Sequence, residues 1–279
     1  MSRPLARLSA VDRAHVRVEA GGASTEKASP MPTDLPTAAR APRLAVLIDG
    51  ENASARIAEA LFTEIATLGE ASARRIYGDA ASPALRSWID VLPRWAIQWQ
   101  QNFQNTKGKN SGDIALVIDA MDLLHSGRFD GFCLVSSDSD FTRLAARIRE
   151  QGVPVYGFGE RKTPESFRQA CTRFIYTENL TGRGGGGGDN DEAAPAPAEK
   201  KPSDAVRLIA AAIADMDEDG DGWVNIGGIG NRLRNAYPDF DQRTYGHAKL
   251  SELIRATGRF DVEAGAGGAM RVRVKPHRA

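Results

Sequence analysis

The stretch from Phe132 to Phe141 constrains the fold most, because an apolar run there ends abruptly in hydroxyls and carboxylates. The run has the length typical of a strand that is covered on both faces of a sheet. A helix is predicted to follow it, with Ser139 or Asp140 as the N-cap. Asp138 and Asp140 should then lie at the carboxyl end of a parallel strand, where open α/β sheets build their sites.

Two further acids occupy comparable places in the chain. Leu44–Ile48 has the pattern of a second buried strand and Asp49 follows it at once, while Asp113 opens a helix with an apolar face. Parallel strands would bring Asp49 and Asp138 to the same sheet edge, and Asp113 could join them. Clustered carboxylates repel unless a cation compensates them, and oxygen donors suit Mg²⁺ or Mn²⁺. We therefore expect Asp49, Asp113 and Asp138 to be metal ligands, directly or through water.

The roles of the neighbouring polar residues stay open at this point. Asp140 is either a fourth site carboxylate, which could orient an attacking water, or the cap of its helix. Asn52 either holds substrate or a water on the metal, or it caps the chain after Asp49. Asp119 is expected to be structural, because it lies about 240° around the helix from Asp113.

Four basic residues are placed to meet a phosphate backbone. Lys107 and Lys109 precede Asp113, and Arg161 and Lys162 follow another predicted strand end. We expect all four to bind substrate, with solvated loop charges as the alternative. The chemistry that such a site performs is phosphodiester hydrolysis, because a divalent ion acidifies water and offsets charge on the leaving oxygen.

From residue 43 onward the chain alternates strands and helices, which predicts an α/β fold with a mostly parallel sheet and helices on both faces. The predicted helices are Ala53–Thr67, Pro83–Val91, one opening at Asp113, one ending at Glu150, and Pro164–Cys171. The predicted strands, besides those before Asp49 and Asp138, are Ala73–Tyr77, Ala96–Trp99, Val153–Phe158 and Phe174–Tyr176.

Composition divides the chain into four parts. Residues 1–42 are rich in Pro, Ala, Ser and Gly and are predicted to be a disordered tail. Residues 43–181 form the α/β domain, and the glycine-rich residues 182–202 form a linker. Residues 203–279 are predicted to be a small winged helix-turn-helix module, with a helix over Tyr245–Thr257 and a hairpin that pairs Arg259–Val262 with Met270–Val274.

Bulk composition identifies no partner, because 36 acidic residues balance 36 basic ones. No apolar run approaches the roughly 20 residues of a membrane span, so no membrane partner is expected. Cys133 and Cys171 lie in apolar segments and are expected to be reduced core residues. These features favour a cytoplasmic protein.

At several ordered motifs the chain closely resembles the NYN domain, which is similar to PIN and 5′-exonuclease-like nucleases. The motifs are Leu47–Asn52, Lys107–Asp113, Val135–Phe141, Tyr156–Glu160 and Thr163–Glu165. The resemblance implies a Rossmann-like PIN-type fold and metal-dependent ribonuclease activity. It carries catalytic roles over to Asp49, Asp113, Asp138 and Asp140, with Asn52 beside them.

The C-terminal part resembles the OST-HTH, or LOTUS, domain. The segments that carry this resemblance are the helix near Ser203, Asp221–Val224, Leu233–Phe240 and Tyr245–Ile254. It implies binding to RNA or to a protein partner. Among its basic residues, Arg232, Arg234 and Lys249 are expected to meet phosphate, with a solvated surface as the alternative.

The leading hypothesis is a Mg²⁺- or Mn²⁺-dependent ribonuclease that acts on single-stranded RNA and carries a tethered RNA-binding module. The first rival is a catalytically inactive RNA-binding or adaptor protein. A weaker rival is DNA repair or another phosphoryl transfer, such as phosphatase action.

Overall fold

The computed structural model describes residues 40–79, 82–101, 111–181, 200–217, 220–265 and 269–276. The predicted tail, the loop 102–110 with Lys107 and Lys109, and most of the predicted linker lie outside these residues. In the first part of the chain, strands and helices alternate as predicted. They are β1 (Arg43–Asp49), α1 (Ala58–Ala66), β2 (Glu70–Gly78), α2 (Pro83–Ile89), β3 (Gln98–Gln101), α3 (Ser111–His125), β4 (Gly131–Val135), α4 (Thr142–Glu150), β5 (Val155–Gly159), α5 (Glu165–Ala170), β6 (Arg173–Tyr176) and α6 (Glu178–Thr181).

The six strands described in this part form one parallel sheet in the order β3-β2-β1-β4-β5-β6. The predicted α/β class is thereby confirmed. The chain builds outward from β1 in one direction and then restarts at β4 in the other. The gap between the carboxyl ends of β1 and β4 is therefore the topological switch point, where ligands bind in sheets of this order.

Apolar side chains cover both faces of the sheet, which explains why β1 and β4 are almost continuously apolar. On β1, Leu44, Val46 and Ile48 pack against α1 and α2, while Ala45 and Leu47 face α3 and α4. All five side chains are fully buried. The two faces together fix the register of β1 and β4, and hence the height at which Asp49 and Asp138 emerge.

Several element boundaries differ from the predicted ones. The helix predicted over Ala53–Thr67 is a 3₁₀ turn at Ala55–Ile57 followed by α1, because the Ser54 side chain accepts a hydrogen bond from the Arg56 amide and caps the turn. Strand β2 begins at Glu70, three residues before its predicted start. Helix α6 was not predicted, since four residues carry too short a pattern.

The C-terminal part contains α7 (Val206–Met216), β7 (Val224–Asn225), α8 (Ile226–Ala236), α9 (Leu250–Ala256), β8 (Phe260–Ala264) and β9 (Met270–Val274). Within its described residues β7, β9 and β8 form a small antiparallel sheet, and β8 and β9 pair as predicted. The single helix predicted over Tyr245–Thr257 was wrong. A 3₁₀ turn ends at Tyr245, and Gly246 then adopts a left-handed conformation with φ 81°, which interrupts the helix before α9.

The C-terminal part packs against β6 and α1 through a set of charged side chains. We call Glu64, Arg168, Arg173, Asp239, Asp241 and Arg243 the junction cluster. Arg243 donates to Glu64 at 2.9 Å and to Asp241 at 2.6 Å, and Arg173 lies 3.3 Å from Glu64. Arg168 and Tyr176 both donate to Asp239.

Backbone and amide contacts extend this junction. The amide of Phe174, on β6, donates to the carbonyl of Pro238 at 2.8 Å, and Asn179 donates to Thr244 at 3.0 Å. Residues on both sides of the predicted linker therefore meet through paired polar groups. The predicted domain boundaries themselves stay predictions.

Both cysteines are buried and unpaired, which confirms them as reduced core residues. Burial raises the pKa of the Cys171 thiol to about 12, which leaves it in the unreactive thiol form at neutral pH. Among the described residues no helix has the length and apolar character needed to cross a membrane.

Candidate functional site

Asp49 ends β1 and is held at the switch point by a complete set of hydrogen bonds. Its side chain is 3% exposed. One carboxylate oxygen accepts from the amides of Glu51 and Asn52, and the other accepts from Asn52 Nδ2 at 2.8 Å and Ser136 Oγ at 2.7 Å. The orientation of this carboxylate is therefore fixed before any ligand arrives.

Gly50 makes this arrangement possible. The chain turns tightly after Asp49, and the Gly50 amide donates to the carbonyl of Tyr77 at 2.8 Å. A Cβ at residue 50 would lie 2.9 Å from that carbonyl oxygen and 2.5 Å from Leu85. Only glycine allows this close approach, which brings the amides of Glu51 and Asn52 onto the Asp49 carboxylate.

Ser136 joins the ends of β1 and β4. Its hydroxyl donates to Asp49 and accepts from the Asp138 amide at 3.0 Å. Asp138 in turn is the N-cap of the 3₁₀ turn Ser139–Phe141, since its Oδ1 accepts from the Asp140 amide at 2.9 Å. The prediction that Ser139 or Asp140 caps this turn was wrong, because the turn begins one residue earlier than the apolar spacing suggests.

Asp113 lies in the first turn of α3, close enough to the other acids for their charges to affect its pKa. Burial raises its pKa first, and the negative charges of Asp49, Asp138, Glu51 and Asp140 raise it further, to about 6. The structure thus brings together the acids predicted from distant parts of the chain. We call Asp49, Glu51, Asp113, Asp138 and Asp140 the acid cluster.

The acid cluster has no cationic partner in the described part of the chain: none of its members forms an ion pair there with Lys or Arg. Nor do three of its carboxylates form a ready-made cation cage within the described residues. The donor set is nevertheless of the kind that a hard divalent cation prefers, because it consists of carboxylate oxygens that repel one another without one.

Models of two known families match the chain. An NYN domain matches residues 43–178, and an OST-HTH/LOTUS domain matches residues 197–272. The chain carries an NYN domain followed by an OST-HTH domain. The NYN domain contains the whole acid cluster. NYN domains are typically nucleases of the PIN-like class and generally use divalent metals, and OST-HTH domains are RNA-associated.

Two solved structures are also similar to parts of the chain. A crystal structure of a protein of unknown function from Vibrio parahaemolyticus is 23% identical, covers 50% of this chain and 94% of its own, and has a TM-score of 0.42. A solution structure of an uncharacterized protein from Nitrosomonas europaea is 33% identical, covers 34% and 95%, and has a TM-score of 0.26. A search of curated proteins found no match.

Two functional candidates of the NYN domain were not singled out from the sequence. Glu51 adds a negative charge beside Asp113, and Ser136 joins Asp49 to Asp138. Both stand within three residues of a predicted site acid, directly after a buried strand. That position was the available signal, but an acid or serine in a turn is too common to assign alone.

The predicted substrate-binding residues occupy different positions. Asn52 donates to Asp49 and is exposed at the mouth of the site. Lys162 pairs with Glu160 at 2.8 Å, and the Arg161 amide donates to Glu178 at 3.0 Å, so both stand after β5 at the same sheet edge. Asp119 accepts from Arg75 and Tyr77, which confirms the structural role expected for it.

In the OST-HTH domain the three predicted phosphate-binding residues differ in accessibility. Arg232 is exposed and pairs with Asp215 at 2.7 Å, and Lys249 is exposed at the start of α9. Arg234 is half-buried and donates to Asn231. Burial, and then the positive charge of Arg173, lowers the pKa of Arg234, so this guanidinium lies towards the NYN domain.

Proposed function

We propose that the protein is a metal-dependent ribonuclease that hydrolyses phosphodiester bonds of single-stranded RNA. The observation that carries this proposal is the acid cluster, which gathers five carboxylates at the switch point of a parallel sheet. Clustered carboxylates destabilise a fold unless something compensates them, so a cluster of this kind indicates a function. A bound cation would compensate the cluster and would in turn attract a phosphate-bearing substrate.

Asp49, Asp113 and Asp138 would hold Mg²⁺ or Mn²⁺, and their oxygen-only chemistry fits these ions. When bound, such an ion supplies Lewis-acid stabilisation of the negative charge that develops at the phosphoryl group. The chain supplies orientation. Ser136 and Asn52 donate to the Asp49 carboxylate, and the Asp140 amide donates to the Asp138 carboxylate. Asp140 would accept a proton from the attacking water.

Substrate would be held by basic residues from two separate segments of the NYN domain. Lys107 and Lys109 would meet the RNA backbone before α3, and Arg161 and Lys162 would do so after β5. The OST-HTH domain would add affinity through Arg232 and Lys249, and less through the half-buried Arg234. Replacing Lys249 by Ala should weaken binding of all RNA sequences alike and lower the salt dependence by about one phosphate contact.

The experiment is cleavage of end-labelled single-stranded RNA by the full chain with Mn²⁺ or Mg²⁺. We expect cutting that EDTA abolishes and that Asp138→Asn reduces by about 100-fold or more. Asp122→Asn, an exposed carboxylate on α3, is the matched control and should cut normally. Single-stranded DNA and a small phosphomonoester, tested beside RNA, separate ribonuclease action from DNA cleavage and phosphatase action.

The alternative is a catalytically inactive RNA-binding or adaptor protein. One observation favours it: within the described residues Asp49 already accepts four hydrogen bonds, which is enough to satisfy it as a structural group. RNA binding without cutting under any metal condition would replace the nuclease by this alternative. In either case we propose that the protein acts in the cytoplasm, where its buried thiols stay reduced.

A further inference from the structure

A cavity of about 210 Å³ lies beside the acid cluster, at the carboxyl ends of β4, β5 and β6. It shares two lining residues, Asn52 and Ser136, with the hydrogen bonds that hold Asp49. A group in this cavity would therefore lie next to whatever occupies the acid cluster. Its volume is below the roughly 300 Å³ at which pockets for drug-sized ligands begin, and it suits a single ring system.

The cavity is apolar on one side and polar on the other. Ile57, Val135 and Phe158 form the apolar part, whereas Glu160 and Glu178 stand on the polar part. Lys162 pairs with one carboxylate oxygen of Glu160 at 2.8 Å, and the other oxygen is the one that would accept from a base. Apolar and aromatic surfaces accept the flat face of a nucleobase, and carboxylates accept hydrogen bonds from N–H groups on its edge. The phosphate of the same nucleotide would lie at the acid cluster, where the proposed cation would offset the negative charge, and the base would lie inside the cavity.

Hydrogen bonds fix the polar wall in advance. The Glu160 amide donates to Ser137 Oγ at 2.8 Å, and Thr163 Oγ1 donates to the Glu160 carbonyl at 2.5 Å. The amide of Arg161 donates to the Glu178 carboxylate at 3.0 Å. A Cβ at Gly159 would lie 2.6 Å from the Ser136 carbonyl, so the wall is also closely packed. A pre-formed wall discriminates between ligands better than a mobile one.

We propose that this cavity binds the base of the nucleotide beside the scissile phosphate and selects bases that carry an exocyclic amino group over uracil. The site rests on the proposed ribonuclease function. Cytosine, adenine and guanine each present an amino donor to a carboxylate. Uracil presents the O4 carbonyl where cytosine presents its amino group, and a carboxylate placed to accept from that amino group repels O4. The N3–H of uracil lies at a different position on the edge and does not replace the lost donor.

Cytidine and uridine form the sharpest test, because the two bases have the same ring and differ at the amino group. With Mn²⁺ and an RNA pool of random sequence, we expect cutting at a fixed position to favour cytidine over uridine by about tenfold. Glu160→Gln should reduce that ratio towards one, because its amide can donate to uracil. Glu165→Gln, on α5 and outside the cavity lining, should keep the ratio.

A titration of the full chain with cytidine and uridine monophosphates separates failure of this site from failure of the nuclease. We expect cytidine monophosphate to bind about tenfold more tightly, with the difference lost in Glu160→Gln. Cutting without base preference overturns the cavity assignment and leaves the nuclease standing. If no RNA is cut, the titration alone decides, and equal or undetectable binding of both nucleotides overturns the proposal.

Discussion

The junction cluster and the acid cluster differ in how their charges are compensated. In the junction cluster three arginines face three acids. Glu64 is 7% exposed and Arg243 is 14% exposed, and the two are joined at 2.9 Å. In the acid cluster five carboxylates gather without an arginine or lysine partner among the described residues. Burial, and then the negative charge of the other four acids, raises the pKa of Asp113 to about 6.

The difference distinguishes a structural group of charges from a functional one. Burial acts to lower the pKa of Arg243, but its hydrogen bonds and attraction to Asp241 and Glu64 outweigh burial and raise it. Each charge in the junction cluster thus has an oppositely charged partner on the chain itself. The acid cluster receives hydrogen bonds from the chain but no positive charge from the described residues. We propose that a bound cation supplies that charge.

The largest stability effect should follow from removing the centre of the junction cluster. Glu64→Ala leaves the positive charges of Arg243 and Arg173 partly buried with fewer partners, and we expect a loss of about 3 kcal/mol in the free energy of unfolding. Glu59→Ala is the matched control on the same helix, because Glu59 and its partner Arg94 are both exposed, at 49% and 66%. The control should lose less than about 1 kcal/mol. Equal losses in urea denaturation would mean that the junction charges are ordinary surface pairs.

A smaller stability effect should follow from Ser136→Ala, which removes the hydroxyl between Asp49 and Asp138. The buried Asp49 carboxylate and the Asp138 amide each lose a partner, at a cost of about 1–2 kcal/mol. Because the hydroxyl orients a predicted ligand, RNA cleavage should fall by about 10- to 100-fold. Ser87→Ala, an exposed serine on α2, should change neither quantity. Full activity in the Ser136 variant would show that Asp49 needs no such support.

The smallest effect should be a gain in stability from Asp113→Asn in EDTA. The pKa of Asp113 is raised above its ordinary value of 3.8, so this residue favours folding most at low pH and loses that contribution as pH rises through about 6. The variant should gain about 1 kcal/mol at pH 8, after solvent screening, and nothing at pH 4. Asp122→Asn should show no such difference in thermal unfolding. A gain that is equal at both pH values would show that ionisation of Asp113 is not its cause.

The sequence was sufficient for the sheet and for the acids that converge on it, because both depend on local patterns. Runs such as Leu44–Ile48 end in an acid, and parallel strands carry those acids to one edge. The junction cluster could not be predicted from the sequence. Glu64 and Arg243 are 179 positions apart in the chain, and neither has a local signal, since each looks like an ordinary charge on a helix or turn.

The exact turn boundaries and the contacts of Ser136 could not be predicted from the sequence either. Ser54, Asp138 and Gly246 decide where turns begin and end, and each acts through a single hydrogen bond or one φ angle. Such choices shift a boundary by one to five residues without altering the apolar pattern. The role of Ser136 as a bridge depends on the β1–β4 pairing, which exists only after the sheet has formed.

The most direct measurement of the central claim is a titration of the full chain with Mn²⁺, with free ion followed by electron paramagnetic resonance. If the acid cluster awaits a cation, the chain should bind Mn²⁺ saturably, and Asp138→Asn should weaken that binding by about tenfold or more, whereas Asp122→Asn should not. Binding that is absent, or that is unchanged in the Asp138 variant, would contradict the account and leave the cluster without a compensating ion.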